Sequence, residues 1–301
     1  MSERSNERIV VVVASLDRAD ELSRWVEHVG RQTIQPVEMI WAVTSDKDLP
    51  SVIPIGTGSL LHVVRSSIGS AAQRNAALDA IRCSPTIVAF FDDDYVPTST
   101  CLEDIAKAFR AFPDVVGLTG TLLADGIHGP GIEYSQAHRL VLEREAHASE
   151  AREPLRFELW EGLYGCNMAF RAEHIGDVRF DERMPLYGWQ EDLDFAARVA
   201  KGRRIGRTNA FHGVHQGVKR GRTSGRRFGY SQMVNPAYLY RKGSMSRQKM
   251  LQLSVKNFMA NHIRSLRPEP WVDRRGRLVG NWLGLADLIR GRIEPERVLT
   301  L

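Results

Sequence analysis

The chain reads as an α/β protein: a mainly parallel, mixed sheet with helices on both faces, followed by a basic helical C-terminal extension. Three observations carry that expectation. Fully apolar, β-branched runs alternate with segments of helical period, the pattern of strands buried on both faces. An aspartate triplet follows one such run directly, and in open α/β sheets ligands gather at the carboxyl ends of the strands. Charge is divided: residues 1–200 carry 19 Lys+Arg against 31 Asp+Glu, and residues 201–301 carry 22 against 5.

The elements follow in order. Residues 9–14 form a run of β-branched side chains ending in Ser15-Leu16-Asp17, and Leu22, Trp25, Val26 and Val29 behind it keep helical spacing. Strand-like 37–43 and 60–64 come next, then a helix starting at Gly69-Ser70, with Ala72, Ala76, Leu78 and Ile81 as its apolar positions. Strand 86–91, helix 98–112 and strand 115–123 complete this half. Residues 124–161 weaken into Gly, Pro and charge, with a helix expected around 135–151. Periodicity returns at 162–170 and again at Leu193, Ala196, Ala197 and Ala200. The Gly- and Arg-rich stretch 213–229 reads as a mobile loop. Beyond it Leu251, Val255, Phe258, His262 and Leu266 define an amphipathic helix with Lys249, Lys256 and Arg264 on its other faces.

Composition excludes several classes. With 301 residues, 43% hydrophobic and 26% charged, the chain has core enough for one large domain or two modest ones, and disordered, collagenous and coiled-coil proteins are set aside. Three cysteines with no Cys-x-x-Cys pair support neither a disulfide framework nor a thiolate zinc site, so a reducing cytosol is the expected compartment. The longest apolar runs fall far below the ~18 residues that span a bilayer, and the polar start of the chain does not read as a signal peptide. A net charge of +5, concentrated in the C-terminal third, calls for an anionic partner: nucleic acid, a membrane surface or a phosphorylated ligand.

The chemistry-bearing residues sit at element ends. Asp92, Asp93 and Asp94 follow a buried strand, where three adjacent carboxylates are best explained by a hard divalent cation, Mg²⁺ or Mn²⁺, with an acidic helix cap as the plainer alternative. Glu191 and Asp192 open a helix after Tyr187-Gly188-Trp189-Gln190. The helix N-terminus favours their ionised form, which suits a base; ordinary N-terminal charge on a surface helix is the alternative. His212 and His215 end a strand-like run, where one could complete a metal shell or touch a diphosphate and either could be plain surface or core histidine. The Gly69 helix start lacks both the P-loop Lys-Ser/Thr and the Gly-x-Gly-x-x-Gly fingerprint.

Taken in order, these motifs resemble a known family. The Val/Ile first strand, Gly-x-x-x-x-Arg-Asn at 69–75, Phe-Asp-Asp-Asp-Tyr-Val-Pro at 91–97, Gly-Cys-Asn-Met-Ala-Phe-Arg at 165–171, Phe-Asp-Glu at 180–182 and Glu-Asp-Leu-Asp at 191–194 are similar to those of family 2 glycosyltransferases of the inverting, metal-dependent GT-A type. The resemblance covers residues 8–217. It implies a GT-A catalytic domain over 1–217, with the nucleotide part at about 8–123 and the acceptor part at about 124–217, and a basic loop and helical region over 218–301. It also implies site roles: Ser15 and Asp17 contact the nucleotide, Arg74 lies in its site, Asp92 lies near the ribose with Asp93 beside it, and Asp94 and His215 serve the cation and diphosphate. Asp192 would be the general base, with Glu191 as its neighbour and substitute. Where the family carries a base-reading aspartate after its second strand, this chain has Val43-Thr44-Ser45-Asp46, so that either Asp46 substitutes from a shifted position or a hydroxyl does the work, and uridine, thymidine and guanosine donors stay open.

The implied activity is transfer of a single sugar from a nucleoside-diphosphate sugar to an acceptor hydroxyl, with Mn²⁺ or Mg²⁺, in making a polysaccharide, a glycolipid or a glycosylated metabolite. The Gln-x-x-Arg-Trp signature of processive synthases is absent. A lipid-linked acceptor, peripheral contact with the inner face of an anionic membrane, and a homodimer are the partner expectations. Nucleic acid is not expected, because aromatic residues are sparse in the most basic stretch. The competing classes are a metal-dependent nucleotidyltransferase or phosphohydrolase and, behind them, a basic nucleic-acid-binding protein.

Overall fold

A computed structural model describes residues 7–51, 60–147, 153–221 and 223–301. β1 (Ile9–Ala14) takes the centre of the sheet because its β-branched run offers apolar surface to both faces. Val11 and Val13 face one core with Leu22 and Trp25 of α1 (Ala19–Gly30). Val10 and Val12 face the other with Ala71 and Ala77 of α2 (Ser70–Asp79). β2 (Glu38–Val43) and β3 (Leu60–Arg65) extend the sheet in parallel on one side of β1, and β4 (Ile87–Asp92) pairs in parallel on the other. The chain thus crosses over beside β1. Ala14 pairs with Asp92, so the carboxyl ends of β1, β2 and β4 share the edge where such sheets bind ligands.

The remaining elements are β5 (Tyr95–Pro97), α3 (Cys101–Ala111), β6 (Val115–Asp125), α4 (Tyr134–Ala146), β7 (Phe157–Leu159), β8 (Asn167–Arg171), α5 (Ala172–Ile175), α6 (Glu191–Ala200) and β9 (Arg204–His215). Among the described residues the sheet has nine strands in the order β3-β2-β1-β4-β8-β6-β9-β5, with β7 on β9. β8 is antiparallel to both β4 and β6, while β6 and β9 run parallel through several register shifts that bring Asp125 opposite His215. Phe90, Phe170, Phe180 and Phe195 fix α6 to the sheet, with Phe180 and Phe195 stacked at 3.8 Å. The expected mixed, mainly parallel architecture is the one observed.

The C-terminal region forms three helices, α7 (Gly225–Lys242), α8 (Arg247–Arg264) and α9 (Arg274–Ile289). It is tied to the sheet domain: Lys242 reaches Asp181 and the fully buried Asp194, Ser244 bonds Asp194, and Asn235 donates to the Trp189 carbonyl. No helix among the described residues is long and apolar enough to cross a membrane.

One expectation changes, one is placed, and one open alternative is decided. The stretch 213–229 is not one mobile loop: β9 runs through His215, α7 begins at Gly225, and the connection between them is held by Arg18, as set out below. Arg222 in that stretch lies outside the described residues. The helix expected over 135–151 is α4, and residues 148–152 at its expected end lie outside the described residues. The apolar stripe of the 251–266 helix does not pack inward: Leu251, Val255 and Leu266 are exposed, and Phe258 and His262 are half-buried.

Candidate active site

The aspartate triplet divides by direction. Asp92, at the last position of β4, points into a cleft and pairs with Arg74 Nη2 at 2.9 Å. Asp93 turns inward, where its two carboxylate oxygens accept from Ser15 Oγ at 2.7 Å and Arg18 Nη1 at 2.8 Å. Asp94 is also buried. Its Oδ2 accepts the Val218 amide at 2.7 Å, whereas Oδ1 has no hydrogen-bond partner and faces His215 Nε2 at 3.4 Å. Burial opposes ionisation of Asp94, but His215, Arg18 and the Val218 amide outweigh it and hold the carboxyl well below its usual range.

His215 Nδ1 donates to Asp125 Oδ1 at 2.9 Å, and Tyr164 donates to the other oxygen of Asp125 at 3.1 Å. That bond orients Nε2 toward Asp92 and Asp94, the arrangement in which a carboxylate sets the tautomer of a ligating histidine. Burial alone would lower the imidazole pKa; Asp94 and Asp125 instead hold it up, to about 10. One ligand atom from each of Asp92, Asp94 and His215 falls within 4.8 Å of the others. Two oxygens and one imidazole nitrogen, with an orphaned buried oxygen among them, fit a divalent cation such as Mn²⁺ or Mg²⁺.

The opposite wall comes from the N-terminus of α6. Asp192 Oδ2 accepts the Gly165 amide at 2.9 Å, and burial pushes its carboxyl up against that bond and the nearby Arg74 charge. Glu191 is pushed up to about 8 by burial, against its ion pair with Arg74 and with the Asp192 charge adding to the rise. Arg74, buried itself, therefore spans the site from Asp92 to Glu191 and also donates to the Gly165 carbonyl at 3.2 Å. Gly165 leaves little room: a methyl group there would sit 3.1 Å from Asp192 Oδ2 and 3.2 Å from Arg74 Nη2, so both side chains would have to give way slightly.

Between these walls lies a cavity of about 950 Å³, lined by Ser15, Asp17, Arg74, Asp92, Asp93, Glu191 and Asp192 among others. Asp94 and His215 do not line it; Asp92 connects them to it. Asp17, Leu186 and Gln190, all on the cavity wall, hold φ of 56°, 61° and 75°, left-handed values that non-glycine residues rarely adopt away from functional sites. Trp160, Tyr187 and Trp189 also line the cavity, together with Arg227 of α7 and Lys249 and Leu253 of α8.

One expected site residue is elsewhere. Asp46 is outside this cavity, largely exposed and paired with Arg65. The buried carboxylate after β2 is Asp48, which accepts from the amides of Asp17, Thr44 and Ser45 and from the Thr44 hydroxyl; these bonds outweigh burial and keep it ionised. Asp48 shapes the turn that places Asp17. Several residues went unread in the sequence: Arg18, Gln73, Asp125 and Tyr164. Arg18 joins Asp93 to the carbonyls of Val218 and Arg220, and Gln73 donates to the carbonyls of Ser15 and Ala42. None is a fixed position of a motif, Gln73 being a variable one within Gly-x-x-x-x-Arg-Asn at 69–75, and only pairing across the fold gives them partners.

The family model for glycosyl transferase family 2 matches residues 10–178, which include β1, the aspartate triplet and Gly165. The chain belongs to glycosyl transferase family 2. Among curated proteins this family 2 chain is similar to the glucosyl-dolichyl phosphate glucuronosyltransferase of Haloferax volcanii, 24% identical over 175 residues. That match covers 56% of this chain and 54% of the relative, so it spans about half the relative's length. Among solved structures, residues 1-349 of S. aureus TarS superpose with a TM-score of 0.57 at 14% identity, over 98% of this chain and 83% of that one. Glucosyl-3-phosphoglycerate synthase of Mycobacterium tuberculosis, in complex with Mn²⁺, UDP-glucose and glycerol 3-phosphate, gives a TM-score of 0.50 at 15% identity, over 80% and 82% of the two chains. These likenesses identify the fold as that of the GT-A glycosyltransferases.

Proposed function

We propose that this family 2 chain transfers one sugar from a nucleoside-diphosphate sugar to an acceptor hydroxyl with inversion at the anomeric carbon. The observation that carries this reading is one cavity lined both by a buried, upshifted Asp192 and by Asp92, the member of the Asp-Asp-His group that reaches it. Catalysis is assigned to residues 1–217, with α7 and α8 completing the cavity lining through Arg227, Lys249 and Leu253. The product class is a polysaccharide, a glycolipid or a glycosylated metabolite.

In the reaction, Asp192 takes the acceptor proton as the hydroxyl oxygen forms its bond to the anomeric carbon. The bond from that carbon to the diphosphate oxygen breaks on the opposite face, and the electron pair leaves with the nucleoside diphosphate. Burial raises the basicity of Asp192, which suits it to that proton. Arg74 compensates the carboxylates on both walls and holds Asp92 and Glu191 in place. Ser15 and Asp17 form the nucleotide side of the cavity, with Asp93 fixing the Ser15 hydroxyl from behind. Trp160 and Tyr187, both exposed and both lining the cavity, are the aromatic side chains available to a sugar acceptor. A divalent cation held by Asp92, Asp94 and His215 would supply charge compensation for the departing diphosphate.

Calorimetric titration with UDP, dTDP and GDP, each with and without Mn²⁺, tests the reading. One nucleotide is expected to bind only with the cation, and Asp94→Ala should abolish that binding. If no diphosphate binds the wild-type chain under either condition, the transferase reading fails.

A further inference from the structure

The C-terminal helices carry most of the chain's excess positive charge and present a surface that the transfer chemistry does not use. Leu251, Val255, Met259 and Ile263 follow one another at four-residue spacing along α8 and are 47%, 60%, 51% and 64% exposed. Leu266 continues the row just past the helix end. Trp282 of α9 joins it from the side, exposed and with its ring 5.2 Å from that of Phe258. Single exposed apolar side chains are ordinary, but a continuous row marks an interaction surface.

The outward direction of this row is set by a polar network on the inner side of the helix. Asn261, the buried residue of α8, donates to Gln232 and Asn281 at 2.8 Å each and accepts from Arg274 at 3.1 Å. Turning the apolar row inward would break that buried network.

Charge identifies what covers the row. Residues 247–292 hold ten Lys+Arg and three acidic residues. All three acids are occupied: Glu269 pairs with Arg264 and Arg274, Asp273 caps the Gly276 amide, and Asp287 is buried against Tyr230 and Arg297. Lys256 and Arg267, next in sequence to Val255 and Leu266, are exposed, as is Arg275 of α9. A second copy placed on this face would oppose like charges, whereas an anionic surface matches them.

We propose that α8 and α9 dock on an anionic lipid bilayer, with the Leu251–Val255–Met259–Ile263 row in the acyl boundary and the Lys and Arg side chains at headgroup level. Lys249 and Leu253, on another side of the same helix, line the cavity, so docking holds the cavity one helix away from the lipid surface. The consequence that the acceptor hydroxyl belongs to a membrane-borne molecule rests on the transferase reading; the docking itself does not.

Co-sedimentation of the full chain with vesicles tests it, using phosphatidylcholine alone and phosphatidylcholine mixed with phosphatidylglycerol. Binding is expected only to the mixed vesicles and should weaken as salt rises. Val255→Gln with Ile263→Gln should cut it by about tenfold or more, and Lys256→Glu with Arg267→Glu should do the same. Both double variants change exposed positions, so each should keep the wild-type melting temperature and cation-dependent nucleotide binding in solution. That second readout separates failure of docking from failure of the transferase reading. The proposal is overturned by absence of binding to either vesicle, by equal binding of wild type and variants, or by a dimer in light scattering that Val255→Gln with Ile263→Gln splits.

Discussion

In the proposed reaction Asp192 is the base, and two neighbours, the Gly165 amide and Arg74, tune it. Its carboxyl is raised by burial, while the Gly165 amide and the Arg74 charge limit the rise and fix its direction. Asp192→Asn should lower kcat by about 10²–10⁴-fold while leaving cation-dependent nucleotide binding intact. A base must be deprotonated to act, and this one has a folded pKa above the ordinary carboxylate value. The rate should therefore be full at high pH and fall as pH drops through a pKa above ~3.9, the unperturbed aspartate value; a pH profile of kcat/KM reads that limb. Gly165→Ala adds a methyl group 3.1 Å from Asp192 Oδ2 and should cost about 10²-fold in rate by displacing the base. Urea unfolding and nucleotide affinity would show whether the loss is confined to the chemical step.

At the scale of elements, α7 and α9 pack unusually closely because each carries glycines four residues apart. Gly225 and Gly229 on α7 lie against Asp273 and the Arg277 backbone at the start of α9, and Gly280 on α9 lies against α7, where a methyl group would overlap the Arg226 carbonyl oxygen. Gly280→Ala should accordingly destabilise the fold by about 1–3 kcal/mol through overpacking, although the substitution improves helix propensity. Urea denaturation reads the difference, and an unchanged midpoint would show that the helices separate freely. The glycine spacing is plain in the sequence but carries no meaning until the two helices are known to cross. The strands were legible for the opposite reason: a β-branched run such as β1 needs no partner to declare that both its faces are buried. The apolar period of α8 announced a helix correctly but not its orientation, because the Asn261 network that sets it draws on α7 and α9.

In the molecule as a whole, the sheet domain and the C-terminal helices are joined at Asp194. This fully buried carboxylate receives Arg198 from its own helix, Lys242 from the last turn of α7 and Ser244 from just beyond it. Lys242→Met should destabilise the chain by about 2 kcal/mol, the worth of a charged hydrogen bond whose acceptor is left partly unmatched. Urea unfolding should remain a single transition if the helices fold with the sheet; two transitions would show that they fold separately.

The sequence by itself determined the α/β alternation, the aspartate triplet at a buried strand end, the carboxylate pair at a helix start and the basic C-terminal third. Each is a local pattern, written in residues within a few positions of one another, where the strand and helix periods impose their own constraints. Only the tertiary structure decided that Arg18 would lock Asp93 from 75 residues away and that Asp125 would orient His215 from 90. It alone replaced Asp46 by Asp48 at the turn beside Asp17, because which carboxylate is buried depends on the amides the folded turn presents. It also turned the apolar row of α8 outward, since the inward face of a helix is chosen by the partners that reach it and not by its own period.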